Sequence, residues 1–187
     1  MSEKTKNYSL YSYIIIMTAQ FLPTDYTAPI KQSNYYKLQD GDNKIRIMSP
    51  AIVGYQDRED RKPINTPDRR PSIDVSKPAK HFRAFIVYDY ASKSFKCWQV
   101  TQGSIREQIE NYNTDEDFGN PLGYDLKIKK TGKDLETKYS VTPWKVVDVD
   151  KEVQAKFARL EYDLNNLFVN GEVITGTKDD EDLPFWS

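Results

Sequence analysis

Two runs of strand-forming residues joined by four turn formers restrict the architectures open to this chain. His81-Phe82-Arg83-Ala84-Phe85-Ile86-Val87-Tyr88-Asp89-Tyr90 leads through Ala91-Ser92-Lys93-Ser94 into Phe95-Lys96-Cys97-Trp98-Gln99-Val100-Thr101. Aromatic and β-branched side chains suit a pleated surface, and a connector this short returns the chain antiparallel. The first run is apolar on both of its faces, so alternation alone leaves Phe85, Tyr88 and Trp98 open to either core or surface.

The segments around this hairpin repeat the pattern. Tyr35-Tyr36-Lys37-Leu38, a turn over Asp40-Gly41-Asp42-Asn43 and Lys44-Ile45-Arg46-Ile47-Met48 read as two strand segments, with Ile45 and Ile47 opposite Lys44 and Arg46. Pro50 interrupts, and Ala51 to Tyr55 resumes an extended path. Residues 57–80, with Pro63, Pro67, Pro71 and Pro78 among seven basic residues, read as a long loop of the kind that is usually functional. A second hairpin spans Tyr124 to Trp144, turning at Thr131-Gly132-Lys133-Asp134; Leu126 and Ile128 alternate with Lys127 and Lys129.

Two helices are expected. Ser104-Ile105-Arg106-Glu107 has the form of a capping box, and Ile105, Ile109 and Tyr112 make one apolar stripe that ends before Asn113-Thr114-Asp115. Val153, Phe157, Leu160, Leu164 and Leu167 form another, predicting a helix over about Asp150 to Phe168 that stops at Asn170-Gly171. Domain organisation follows: a flexible N-terminal arm over 1–34, a β domain over 35–147, a C-terminal helix within 148–171 and an acidic tail over 172–187. In the arm, Tyr13 to Leu22 is an apolar run, either a strand or an arm, and Met17 could serve as the start.

Charge is divided along the chain. The net charge is -1, yet residues 1–147 hold 23 basic against 18 acidic side chains and residues 148–187 hold 4 against 10. A mildly basic body with an acidic end suits a polyanion ligand. Asp179, Asp180, Glu181 and Asp182 repel one another and Pro184 lacks a backbone donor, so Leu183, Pro184, Phe185 and Trp186 are expected to be offered by an exposed tail to a partner protein.

Catalytic chemistry is poorly supplied. With one cysteine, Cys97, and one histidine, His81, neither an internal disulfide nor a Cys/His zinc site can be assembled, and nucleophile–base pairs are scarce. Asp117-Phe118-Gly119 lacks the other kinase motifs, and Thr131-Gly132-Lys133 lacks the spacing of a phosphate-binding loop. No enzyme, cofactor or metal is expected, and no apolar run has the length of a membrane span. Early strands, a helix and a closing hairpin make the fold mainly β, in the order of an OB-fold: a five-stranded Greek-key barrel with a capping helix between its third and fourth strands and, here, a C-terminal helix.

Tyr36-Lys37-Leu38 with Asp40 to Ile47, Ser49 to Tyr55, His81 to Tyr90, Thr101-Gln102, Asp117 to Pro121 and Tyr124-Asp125 through Tyr139 to Pro143 resemble the single-stranded DNA-binding proteins of tailed bacteriophages. The tail resembles the acidic, Pro-Phe-ending tail of bacterial single-stranded DNA-binding proteins, extended here by Trp186 and Ser187. The resemblance implies a protein of the host bacterial cytoplasm that coats unpaired DNA in replication, recombination and repair, and recruits partner proteins of those processes through its tail. Some relatives carry zinc; this chain lacks the ligands. Where the family often has an aromatic in the first hairpin strand, this chain has Arg83.

On the residues, Arg46, Arg69, Arg70, Lys80, Arg83, Lys127 and Lys129 are the expected phosphate path, and Tyr55, Phe85, Trp98 and Tyr139 the candidate stacking rings. An RNA-binding module and an interaction adaptor that acts through the tail and last helix stay open as alternatives, as does the oligomeric state.

Overall fold

The computed structural model describes residues 33–146 and 148–178. The chain divides into Met1–Gln32 and Ser33–Ser187, and every described residue belongs to the second unit. The expected arm up to residue 32, its apolar run and the acidic residues from Asp179 onward lie outside the described residues.

The fold is mainly β. Its strands are β1 (Gly41–Ile47), β2 (Ile52–Glu59), β3 (Lys62–Thr66), β4 (Lys80–Asp89), β5 (Ser94–Val100), β6 (Tyr124–Thr131), β7 (Lys138–Val146), β8 (Leu160–Tyr162) and β9 (Ile174–Thr177); the helices are α1 (Gly103–Asn113) and α2 (Lys151–Ala158). Seven strands form one sheet in the order β3-β2-β4-β1-β6-β7, with β5 also paired to β4, while β8 and β9 form a separate ribbon. Both expected hairpins are present: Phe85 faces Trp98 across β4–β5, and Ile128 faces Val141 across β6–β7.

The sheet is organised on β4. β1 pairs with its residues 87–89 and β2 with 80–84, so the two share one edge and β5 takes the other. Between them Pro50 has no donor to offer, and Ser49 fills the gap: its Oγ accepts the Ile86 amide at 2.9 Å, while the Met48 amide donates to the Ile86 carbonyl at 2.8 Å.

Among the described residues no closed barrel forms: β7 pairs only with β6, and no pairing joins it to β5. Instead α1 takes the free edge of β7. The Gln108 side-chain amide donates to the Tyr139 carbonyl at 3.2 Å and accepts the Val141 amide at 2.8 Å, and the Tyr112 hydroxyl donates to the Val141 carbonyl at 3.2 Å. Side chains thus satisfy edge groups that a closing strand would have taken.

Three local expectations are corrected. The capping box is not made: α1 starts at Gly103 after Gln102, which gives no side-chain cap, so Ser104 already lies in the first turn. Residues 57–80 are not one loop, because β2 runs on to Glu59 and turns back into β3 through Asp60 and Arg61, at φ 48° and 66°. Pro63 pairs opposite Arg58 on this edge strand, where a missing donor is tolerated. Tyr35 to Leu38 is not a regular strand; Tyr35 makes an isolated bridge to Cys97, whose amide donates to the Asn34 carbonyl at 2.8 Å.

The expected C-terminal helix is also cut short. α2 begins where Asp150 accepts the Glu152 amide at 2.7 Å and ends at Ala158; Leu160–Tyr162 then pairs with β9, and Asp163 caps a 3-10 turn over Leu164–Phe168. Strand pairing and a second cap override the helical spacing. Phe157, Leu160, Leu164 and Leu167 nevertheless reach the same apolar cluster.

β4 is therefore buried twice. On one face Phe85 and Val87 join Ile45, Ile47, Trp98, Val100, Leu126 and Ile128 beneath Ile105 and Ile109 of α1. On the other, Phe82, Ala84 and Ile86 join Cys97 beneath Leu164, Leu167 and Val173. Burial pushes the Cys97 thiol up to about 12, so it stays protonated.

Candidate nucleic-acid interface

An open surface remains where β2 runs beside the first half of β4. Val53 stands opposite Arg83 and Tyr55 opposite His81, which puts the four side chains on the face that continues into the α1-covered core. α1 runs along one side of this region, with Arg106 against His81 and Glu110 against Arg83, and does not cover Val53. Val53 is left 55% exposed, and a groove of about 550 Å³ opens among Pro50, Val53, Phe85, Ile109 and Leu122. Arg83 and Glu110 stand at its margin, joined by an ion pair of 2.6 Å.

His81 sits at the centre of this surface. Tyr55 meets its ring edge-on with centroids 5.4 Å apart, and an Arg106 Nη1 donor reaches its Nδ1. Burial, then Arg106, then Arg83 hold the imidazole below its ordinary pKa, which keeps it neutral and able to accept from Arg106. Three positively charged or basic groups thus share one patch. Beyond it, at the Gln56–Lys80 end of the same strand pair, a second cavity of about 670 Å³ is lined by Arg58, Arg61, Lys77 and Lys80 together with Asp57 and Asp74. The Asp57 carboxylate accepts the Ile73 amide at 2.8 Å, holding the 67–79 loop against β2.

The structure divides the expected site residues among several environments. Tyr55, Lys80 and Arg83 gather along β2 and β4, and Arg69 and Arg70 are exposed in the loop that covers β2. Phe85 and Trp98 belong to the core, at 3% exposure each, with their rings in edge contact at 5.5 Å. Neither can stack on a base without unpacking the domain. Tyr139 is half-buried against the same core. Arg46, 4% exposed, ion-pairs with Asp125 at 3.4 Å and so lines no open phosphate path.

Lys127 and Lys129 lie elsewhere. They alternate with Leu126 and Ile128 and so occupy the opposite face of the sheet, beside Lys44 and Arg46. The face of the β4–β5 hairpin away from the α1 core is unavailable as well, because the C-terminal segment packs over it. The outer face of that hairpin therefore offers no free platform.

Sequence reasoning missed His81, Arg106 and Val53. The signal for the first two was weak, since a lone histidine and an arginine between two helix-stripe residues have no pattern of their own. Val53 was legible in principle: once Gly54 is placed facing inward, its neighbours must face out. Among the described residues no cluster of three or more His, Cys, Asp or Glu could hold a metal ion, and no helix is long and apolar enough to cross a membrane. No protein-family model, curated protein or solved structure matches this chain.

Proposed function

We propose that this protein binds single-stranded DNA through the β2–β4 surface and is a coating protein of phage DNA replication, recombination and repair. The observation that carries the reading is the juxtaposition of Tyr55, His81, Arg83 and Arg106 beside an apolar groove, with Arg58, Arg61, Lys77 and Lys80 at its far end. An unpaired strand exposes flat apolar bases on a charged backbone, and a strip that alternates ring, groove and cation offers both complements. A duplex hides its bases and so cannot offer them to such a strip.

The fold class is compatible. β1 pairs with both β4 and β6, each of those strands continues into a hairpin, and α1 lies between the hairpins, which is the order of a partly open OB barrel. We read the domain as an OB variant. Its β4–β5 outer face has been given to the C-terminal segment, and the ligand path has shifted toward β2 and α1. The tail from Asp179 onward would then recruit partner proteins in the host bacterial cytoplasm.

Anisotropy of labelled oligo-dT, a duplex of equal length and a matched RNA at low ionic strength tests the proposal. Oligo-dT is expected to bind more tightly than either, with log K falling by about 0.7 per neutralised phosphate for each unit of log salt. Arg83→Ala should weaken binding and make the salt slope shallower. Equal affinity for duplex, or no binding to oligo-dT, would overturn the reading; tighter RNA binding would replace the ligand.

A further inference from the structure

The face of β1, β6 and β7 opposite the groove carries an exposed indole. Trp144 is 46% exposed although Val141, three residues before it on β7, is 2% exposed. Lys44 and Lys127 stand opposite one another in the β1–β6 register, and their ammonium groups lie 6.0 and 5.7 Å from the centre of the Trp144 ring. Lys44 also sits 4.2 Å above the Tyr90 ring. The exposed part of the indole leaves apolar ring surface in water that a ligand could cover.

The cations are held from below. Asp125, whose side chain is 3% exposed, receives the Lys44 ammonium at 2.9 Å, Arg46 at 3.4 Å and the Tyr90 hydroxyl at 2.9 Å. Lys127 reaches Asp42 at 2.7 Å, and the exposed Lys129 stands opposite Asp42 in the register. A buried carboxylate fixes Lys44 beside the rings, whereas the Asp42 pair is exposed and costs little to exchange for another anion. The cations Lys44, Arg46, Lys127 and Lys129 outnumber the carboxylates Asp42 and Asp125.

We propose that this patch is a second subsite for single-stranded nucleic acid, in which one base stacks on Trp144 and adjoining phosphates contact Lys44 and Lys127. The class of ligand rests on the single-stranded DNA reading above; the site does not, because it lies on the other face of the sheet and shares no residue with the groove. Charge complementarity favours this occupant. A flat ring between two ammonium groups matches the alternation of base and phosphate along a strand, while an acidic peptide would use the lysines and leave the indole without a partner.

Oligo-dT carrying 5-iododeoxyuridine, photocrosslinked to the full chain and mapped by peptide mass spectrometry, should attach to Trp144. Trp144→Ala should weaken oligo-dT binding about tenfold, with Trp144→Phe losing less because a smaller ring remains. Lys44→Gln combined with Lys127→Gln should lower the log–log salt slope by about 1.4. Circular dichroism and urea midpoints check that each variant is folded, and the Phe and Gln variants carry the test if the Ala variant is not. No crosslink at Trp144, with Trp144→Ala binding like wild type while Arg83→Ala is weakened, overturns the second subsite and keeps the groove. Wild-type protein that ignores oligo-dT overturns both. Protection of Trp144 from iodide quenching by polyglutamate but not by oligo-dT would assign the patch to an acidic protein partner instead.

Discussion

The two faces of β4 are similarly apolar but are covered in different ways. Phe85 and Val87 lie under one helix of 11 residues, tied to the β7 edge by Gln108 and Tyr112. Phe82, Ala84 and Ile86 lie under a patchwork of α2, the β8–β9 ribbon and a 3-10 turn. The short helix leaves the neighbouring β2 uncovered, and the groove opens between the two. The patchwork follows the sheet more closely: Asn65 donates to the Leu167 carbonyl at 3.1 Å and accepts from Gln99 at 2.9 Å and Gln56 at 3.3 Å, joining β2, β3, β5 and the cover. Room for a ligand therefore follows from the form of the cover rather than from the polarity of the strand beneath.

The largest effects should come from breaking the closed face. Phe82 is fully buried, and Phe82→Ala should cost about 3–5 kcal/mol in urea unfolding. Val53→Ala on the open face should be nearly neutral for stability and lower oligo-dT affinity; equal stability losses in the two variants would erase the contrast. Gly54 offers a sharper test. A Cβ there would come within 2.8 Å of the Thr66 carbonyl and the Phe82 ring, and 2.7 Å from the Phe168 ring. The backbone oxygen cannot rotate away as a side chain can, so Gly54→Ala should cost about 1–3 kcal/mol and loosen the C-terminal cover first, as seen by hydrogen exchange over Leu164–Phe168.

Gln108→Ala probes the other cover. It leaves the Val141 amide without its side-chain acceptor, at a cost of about 1–3 kcal/mol if water cannot reach it. Exchange at the Val141 amide should rise while Leu164–Phe168 stays protected. A variant that exchanges evenly over both covers would show that they open as one unit.

How much of this arrangement could be read from the sequence depends on how local the determining interactions are. Both hairpins follow from adjacent residues and a short turn, and the Ile105-Ile109-Tyr112 stripe follows from helical spacing, so these were legible. The cover over Phe82 was not, because Phe157, Leu160, Leu164 and Leu167 have spacing that fits a helix and also fits a helix, strand and 3-10 turn in succession. Pairing of Leu160–Tyr162 with the distant Ile174–Thr177 decided between them. β3 was hidden by Pro63, which argues against a central strand but is compatible with an edge. At the candidate site, residue type identified cations and rings correctly but could not assign their faces. Phe85 and Trp98 were indistinguishable from surface rings on a strand that is apolar on both sides. Arg46 looked like a phosphate ligand until its partner, 79 residues away, was located.

The smallest expected effect distinguishes the two faces by pH. His81 accepts from Arg106 through Nδ1, with Arg83 and the Tyr55 ring also against it, so protonation removes an acceptor and sets three cations together. Its folded pKa lies below the ordinary 6.5 of the unfolded chain. The unfolded state therefore binds more protons as pH falls, and the neutral imidazole's contribution to stability is complete above about 6.5, declines as pH drops from there through the folded pKa, and then levels off. His81→Gln should remove that decline. Phosphates bound beside Arg83 and Arg106 would favour the imidazolium, so oligo-dT binding at the groove should take up protons and tighten modestly between pH 7.5 and about 6 in wild type. His81→Gln should abolish the pH dependence while leaving binding at pH 7.5 largely intact. The Lys44–Trp144–Lys127 patch contains no histidine. Oligo-dT affinity that stays flat with pH in wild type would move the main contact away from the β2–β4 surface and onto that face.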